Sequence, residues 1–140
     1  MQKKQQKLSS VREALLIDYN MDDKNVIGRK TKEFAVAAVL LFKDRLIPQS
    51  EFILSKQFLR SATSVGANVA EATGAYSRKD FSHKMSIAYK ESREASYWLE
   101  IFYESGYLNK DEFEKLFNLI TEINKLLFSI VRTTQSNHQA

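Results

Sequence analysis

The segment from Gln57 to Gly74, QFLRSATSVGANVAEATG, constrains this chain more than any other, because as a helix it carries two adjacent seams of opposite chemistry. Phe58, Ala62, Val65, Val69 and Ala72 follow the alternating four- and three-residue spacing that keeps side chains on one helical face. Gln57, Ser61, Ser64, Asn68 and Glu71 repeat that spacing one residue earlier, so a polar row lies directly beside the apolar one. An ordinary surface helix shows long charged side chains on its polar face. Short polar groups next to an apolar seam need partners, on a neighbouring helix or on another subunit.

Composition narrows the fold class. The chain has 140 residues, enough for one domain that buries roughly 70% of its unfolded surface without covalent staples. It contains no Cys, which excludes disulfide scaffolds and cysteine-ligated zinc and fits a reducing compartment. Pro48 is the only proline, and glycine occurs only at positions 28, 66, 74 and 106, too few turn formers for a sandwich or barrel. An all-α fold is expected. The longest apolar run, Phe34 to Phe42, is far shorter than the ~20 residues that span a bilayer. The N-terminal MQKKQQK leads into no long apolar region. These features predict a cytoplasmic protein with no membrane partner.

The punctuating residues divide the chain. Residues 1–24 read as a polar N-terminal arm or short helix, with a weak apolar group at Leu15, Leu16 and Ile17. A first helix is predicted from Val26 to Leu46, capped by Asn25, ended by Ile47-Pro48, with Phe34, Ala38, Leu41 and Leu46 on its core face. Ser50 is expected to cap a second helix that runs to Thr73, where a left-handed Gly74 stops it. Ser77 with Asp80 signals a third helix to Ser105, closed by Gly106; Asn109 with Glu112 signals a fourth, ending near Thr133 before a polar tail at 135–140. In the third, Phe81, Met85, Ala88, Ser92, Ala95, Leu99 and Phe102 hold an unbroken 4, 3 register. Phe113, Leu116, Ile120, Ile123, Leu127 and Ile130 do the same in the fourth. Residues 25–134 are therefore expected to form an antiparallel up-down-up-down four-helix bundle.

The third helix is apolar over a wide arc. Ile87, Trp98 and Ile101 form a second row rotated from the main seam, and serve either to widen the core or as a subunit interface. Arg60 is expected to reach Glu94, while Ser64, Asn68 and Glu71 satisfy groups at a helix or subunit contact. If that charged pair is buried, removing Arg60 alone costs about 3 kcal/mol.

Several of these runs together resemble a known family. They are Gln57 to Glu71 (QFLRSATSVGANVAE), Ser77 to Phe81 (SRKDF), Ala88 to Glu94 (AYKESRE) and Gly106-Tyr107-Leu108. The pattern of Arg60, Ser64, Asn68, Ala70, Glu71 and Glu94 is similar to that of the small four-helix-bundle proteins encoded in intervening sequences of bacterial 23S ribosomal RNA genes, over about Phe34 to Val131. The resemblance implies a bundle that assembles into a closed homo-oligomeric ring, a pentamer, with no established enzymatic activity. It also implies kinship with accessory proteins of diversity-generating retroelements, which share the bundle and bind nucleic acid and a reverse transcriptase.

Charge gives a further expectation. Arg29, Lys30, Lys32, Lys43 and Arg45 outnumber Glu33 and Asp44 in the first helix, and a ring multiplies that excess into a basic rim able to bind RNA or DNA through phosphates. A rival reading takes Val65 to Met85 as a helix-turn-helix with Gly74 in the turn, although it pulls Phe81 and Met85 off their seam. Catalytic readings fare poorly. The only histidines are His83 and His138, short of the paired Glu-x-x-His motifs of bundle di-metal sites, and there is no phosphate-cradling glycine loop. A non-enzyme without cofactor, metal or small-molecule substrate is expected.

Overall fold

The computed structural model describes residues 19–20 and 24–139, with side-chain surroundings from Val26 to Ser136. Four long helices, α1 (Val26–Leu41), α2 (Leu54–Thr73), α3 (Arg78–Glu104) and α4 (Lys110–Gln139), carry nearly all of the described chain. Each packs against the next in sequence, and α4 closes back onto α1, so the four enclose one core as a four-helix bundle. Ahead of α1, two-residue strands β1 (Tyr19–Asn20) and β2 (Lys24–Asn25) pair antiparallel, Tyr19 opposite Asn25. Most of the expected N-terminal arm at 1–24 lies outside the described residues.

The heptad-like spacings explain which faces are buried. Phe58, Ala62, Val65, Val69 and Ala72 of α2 are all inside, as are Met85, Ala88, Ser92, Ala95, Leu99 and Phe102 of α3. Phe81 and Phe113, the first members of their seams, are only half-buried. On α4 the seam of Leu116, Ile120, Ile123, Leu127 and Ile130 continues one step to Thr134, whose hydroxyl lies 3.1 Å from the Ser82 hydroxyl. That contact helps carry α4 past its expected end near Thr133 to Gln139, so the predicted polar tail is largely helical. At the opposite end, edge-to-face rings tie three helices and a loop together: Phe34 to Phe58 (6.3 Å), Phe58 to Phe102 (5.7 Å) and Phe102 to Tyr107 (6.2 Å).

The first helix departs from its predicted form for a physical reason. Leu41 and Leu46 are both buried but five residues apart, a separation that an α-helix would turn by roughly 140°. The chain solves this by widening into a π-helical turn over Phe42–Leu46, which keeps both leucines inward and leaves Arg45 outside. A 310 turn over Ile47–Gln49 follows, with Pro48 inside it, so the proline does not end helical structure but sits in its next turn.

The helix ends partly match their sequence signals. Ser77 Oγ accepts from the Asp80 amide at 3.0 Å. Asn109 and Glu112 form a complete reciprocal capping box, each side chain accepting from the other's backbone N–H. Gly106, at φ +88°, closes α3 in a Schellman arrangement in which Tyr107 N–H reaches the Phe102 carbonyl and Gly106 N–H the Tyr103 carbonyl.

Two expectations are corrected. Gly74 has φ −98° and is not left-handed, because α2 ends in short turns to the Glu71 and Ala72 carbonyls. Ser50 does not cap α2. It is itself the left-handed residue, at φ 62°, that turns the chain out of the 310 turn. The cap is supplied by Glu51, a nearly buried carboxylate that accepts from the amides of Ile53, Leu54 and Ser55 at 3.3, 2.9 and 2.5 Å. Burial pushes the Glu51 carboxyl up, but the bonds from Leu54, Ser55 and Ile53 outweigh it and hold it below the ordinary 4.5.

Gly66 marks the closest approach of α1 and α2. A Cβ there would stand 3.3 Å from the Thr31 carbonyl oxygen and 3.6 Å from Thr31 Cβ. Thr31 is buried, its hydroxyl bonded to the Ile27 carbonyl at 2.7 Å. We expect Gly66→Leu to destabilise the bundle by about 1–3 kcal/mol, since its outer atoms run into α1 backbone. In Gly66→Ala the helix-propensity gain of about 1 kcal/mol offsets the tight contact, leaving stability nearly unchanged in urea titrations.

Because the folded pKa of Glu51 is depressed, its stabilisation is present above the unfolded value and is lost as pH falls through the folded one. Glu51→Gln should therefore melt earlier than wild type at neutral pH, by about 1 kcal/mol. The gap should narrow below about pH 4.5.

Candidate functional site

The polar row of α2 finds its partners inside the chain. Arg60 reaches Glu94 of α3 at 2.5 Å and Glu91 at 3.3 Å. Glu71 pairs with Lys84 of α3 at 2.9 Å, and the hydrogen bond and charge of Glu71 raise the Lys84 pKa above its usual 10.5. Asn68 Nδ2 donates to the Ser64 carbonyl at 2.9 Å and lies 3.0 Å from its hydroxyl. Ser61, fully buried, donates to the Phe58 carbonyl. The row thus ties α2 to α3 and satisfies itself, rather than presenting free groups to a substrate.

The Arg60 bridge is not the buried pair expected from sequence. The Arg60 side chain is 53% exposed and that of Glu94 39%. Arg60 follows the core residue Phe58 by two positions, a rotation of roughly 200° that points it away from the bundle axis. Glu91, one turn before Glu94, joins the bridge and was missed, although its position in the same register is a readable signal.

The row of Ile87, Trp98 and Ile101 is half-buried throughout, and Trp98 packs against the core with its indole N–H enclosed and unpartnered. Exposed apolar surface lies elsewhere. On α1, Val36 is 53% exposed, Val39 44% and Leu40 47%; on α3 and α4, Tyr97 is 56% exposed, Tyr103 38% and Phe128 50%. The α1 residues belong to the apolar run Phe34 to Phe42, which is too continuous for one buried face. That excess is the sequence signal for them.

The basic candidates divide into two groups. Lys30 is tied to Glu122 at 2.7 Å. Arg45 is bound by Glu112 through its Nε and, at 3.2 Å, through Nη2. Burial raises the Glu112 pKa, but the Asn109 amide and the Arg45 guanidinium together hold it below 4.5. Arg29, Lys32 and Lys43 are exposed on α1; the nearest carboxylate contact among them is Lys43 to its neighbour Asp44 at 4.0 Å. The three share one helical face with Val36, Val39 and Leu40, at spacings of 3, 4, 3 and 4 from residue 29 to 43.

The remaining features give no chemistry of their own. Among the described residues no three His, Cys, Asp or Glu side chains are grouped to hold a metal ion, and no helix is long and apolar enough to cross a membrane. An open groove of about 500 Å³ runs between α1 and α2, past Gly28, Lys32, Ala35, Thr63 and Ala70. The helix-turn-helix reading fails, because Met85 and Ala88, which it would turn toward a groove of DNA, are fully buried in a helix that continues to Glu104.

Comparison with known proteins agrees with the bundle. Residues 23–129 match the family described as 23S rRNA-intervening sequence protein. A solved structure from Bacteroides thetaiotaomicron, described as a protein of unknown function from the S23 ribosomal protein family, is 48% identical with a TM-score of 0.73, covering 75% of this chain and 97% of its own. No curated protein matches.

With the Arg60 bridge in solvent, Arg60→Ala should lower stability by less than about 1 kcal/mol, not the 3 kcal/mol of a buried pair. Thermal melts at low and high salt check this, and the small difference should shrink further as salt rises.

Proposed function

Because the chain belongs to the 23S rRNA-intervening sequence protein family, we propose that it works as a non-catalytic scaffold that assembles with copies of itself into a closed ring. The observation that carries this reading is the exposed apolar face of α1, Val36, Val39 and Leu40, on a bundle whose core is otherwise closed. Contiguous apolar surface of this kind is the mark of a contact between proteins. The polar row supports the non-catalytic part, since Arg60, Asn68 and Glu71 are already engaged within the chain. The bundle runs up-down-up-down: the connections at residues 74–77 and 105–109 are short, and the cross-helix pairs Arg60–Glu94, Glu71–Lys84 and Lys30–Glu122 have the reciprocal numbering of antiparallel neighbours. The ring acts in the cytoplasm, a setting that its cysteine-free sequence suits.

A second reading has its own support. Arg29, Lys32 and Lys43 are exposed cations on one face of α1, and repetition around a ring would gather them into a basic band for the phosphates of RNA or DNA.

Light scattering on the purified protein tests the assembly: the expected mass is that of about five 16.2 kDa chains. A single-chain mass at micromolar concentration overturns the reading. Gel shifts with structured RNA at rising salt test the second, with affinity expected to fall steeply as salt increases and more gently in a Lys32→Gln, Lys43→Gln variant.

A further inference from the structure

The geometry points to a head-to-tail contact in which the exposed face of α1 on one copy seats against the aromatic α3–α4 face of the next. This rests on the self-assembly reading and names the two surfaces that meet. The first surface runs from Arg29 to Lys43, about 21 Å along the helix at 1.5 Å per residue. It holds Val36, Val39 and Leu40 at its centre, with Arg29, Lys32 and Lys43 around them and Glu33 as its one carboxylate.

The second surface has the same length and the opposite charge. From Tyr89 to Tyr103 of α3 is again about 21 Å. Tyr89 packs against the exposed Phe128 of α4 at 5.9 Å, Tyr97 stands out between, and Tyr103 stacks on Phe113 at 4.5 Å. Glu100 and Glu104 lie exposed beside the last two tyrosines, and Arg93 is the cation among them, as Glu33 is the anion on the other face. Aliphatic side chains ringed by cations on one surface thus meet aromatic side chains flanked by carboxylates on the other, the pairing that favours a specific encounter over a random one.

The α1 face is not suited to meet its own copy. Two α1 faces would bring Arg29, Lys32 and Lys43 against the same residues, and two α3 faces would oppose Glu100 and Glu104. In the bundle each helix packs on its sequence neighbours and α4 closes on α1, so α1 and α3 stand at diagonal corners. One copy can therefore offer both faces at once, as a repeating heterologous contact requires.

Two exposed positions allow a test that leaves the core untouched. Val39→Asp places an acid where the acidic face would dock, and Tyr97→Lys places a base where the basic face would. Circular dichroism should show both variants fully helical with wild-type melting. In light scattering each alone should fall to the mass of a single 16.2 kDa chain, whereas an equimolar mixture should recover larger species, because each variant retains the surface that the other lacks. If only one variant dissociates, or if the mixture stays at single-chain mass, the head-to-tail pairing is overturned. If both variants keep the wild-type mass, other surfaces hold the assembly, and the pairing falls while self-assembly stands. A wild-type protein that is itself a single chain overturns both.

Discussion

The bundle depends on Phe58. Its ring is fully buried, meets Phe34 of α1 and Phe102 of α3 edge to face, and through Phe102 reaches Tyr107 in the α3–α4 connection. Three helices and a loop are thereby fixed at one end by side chains with few rotamers and large buried area. With that end set by bulky rings, the rest of α2 is free to be lined with small residues. Ala62, Gly66 and Ala72 let the neighbouring helices come close, most tightly where Gly66 faces the Thr31 backbone. Large residues at one end and small ones along the middle are two parts of a single packing solution.

Charge acts at the margin of this solution, not at its centre. The pairs Lys30–Glu122, Arg45–Glu112, Arg60–Glu94 and Lys84–Glu71 join neighbouring helices at the surface, where solvent weakens each of them. Their value is in alignment: every one joins helices already brought together by the core, and together they disfavour a slipped register. Glu51 differs, because its carboxylate is enclosed and holds three amides at the start of α2.

Much of this was legible in the sequence. The seams of α2, α3 and α4 could be read because strict spacing on a helix leaves one solution for what faces inward, and the Asn109–Glu112 box because its two bonds are local. What escaped was set by tertiary context. Sequence suggested a buried Arg60, but its rotation relative to Phe58 places it in solvent. Ser50 looked like a helix cap and is instead the left-handed residue of a turn whose cap function fell to its neighbour, a choice made by how the loop folds over. The apolar surplus was sensed but assigned to Trp98, which packs against the core; the exposed part lies on α1, where an unbroken apolar run offers no periodicity to say which side chains face out.

The widened turn at Phe42–Leu46 has a consequence for how this fold can drift over evolutionary time. Such a turn holds one residue more than the helix around it needs, so it resets the phase between α1 and the loop beyond. Loss of a single residue there would restore a regular spiral while swinging everything downstream by about 100°. Arg45 would then turn inward and Leu46 out. The segment is therefore a frame marker: lineages can vary its letters, but not its count, without unscrewing the corner on which the Phe58 end of the bundle rests.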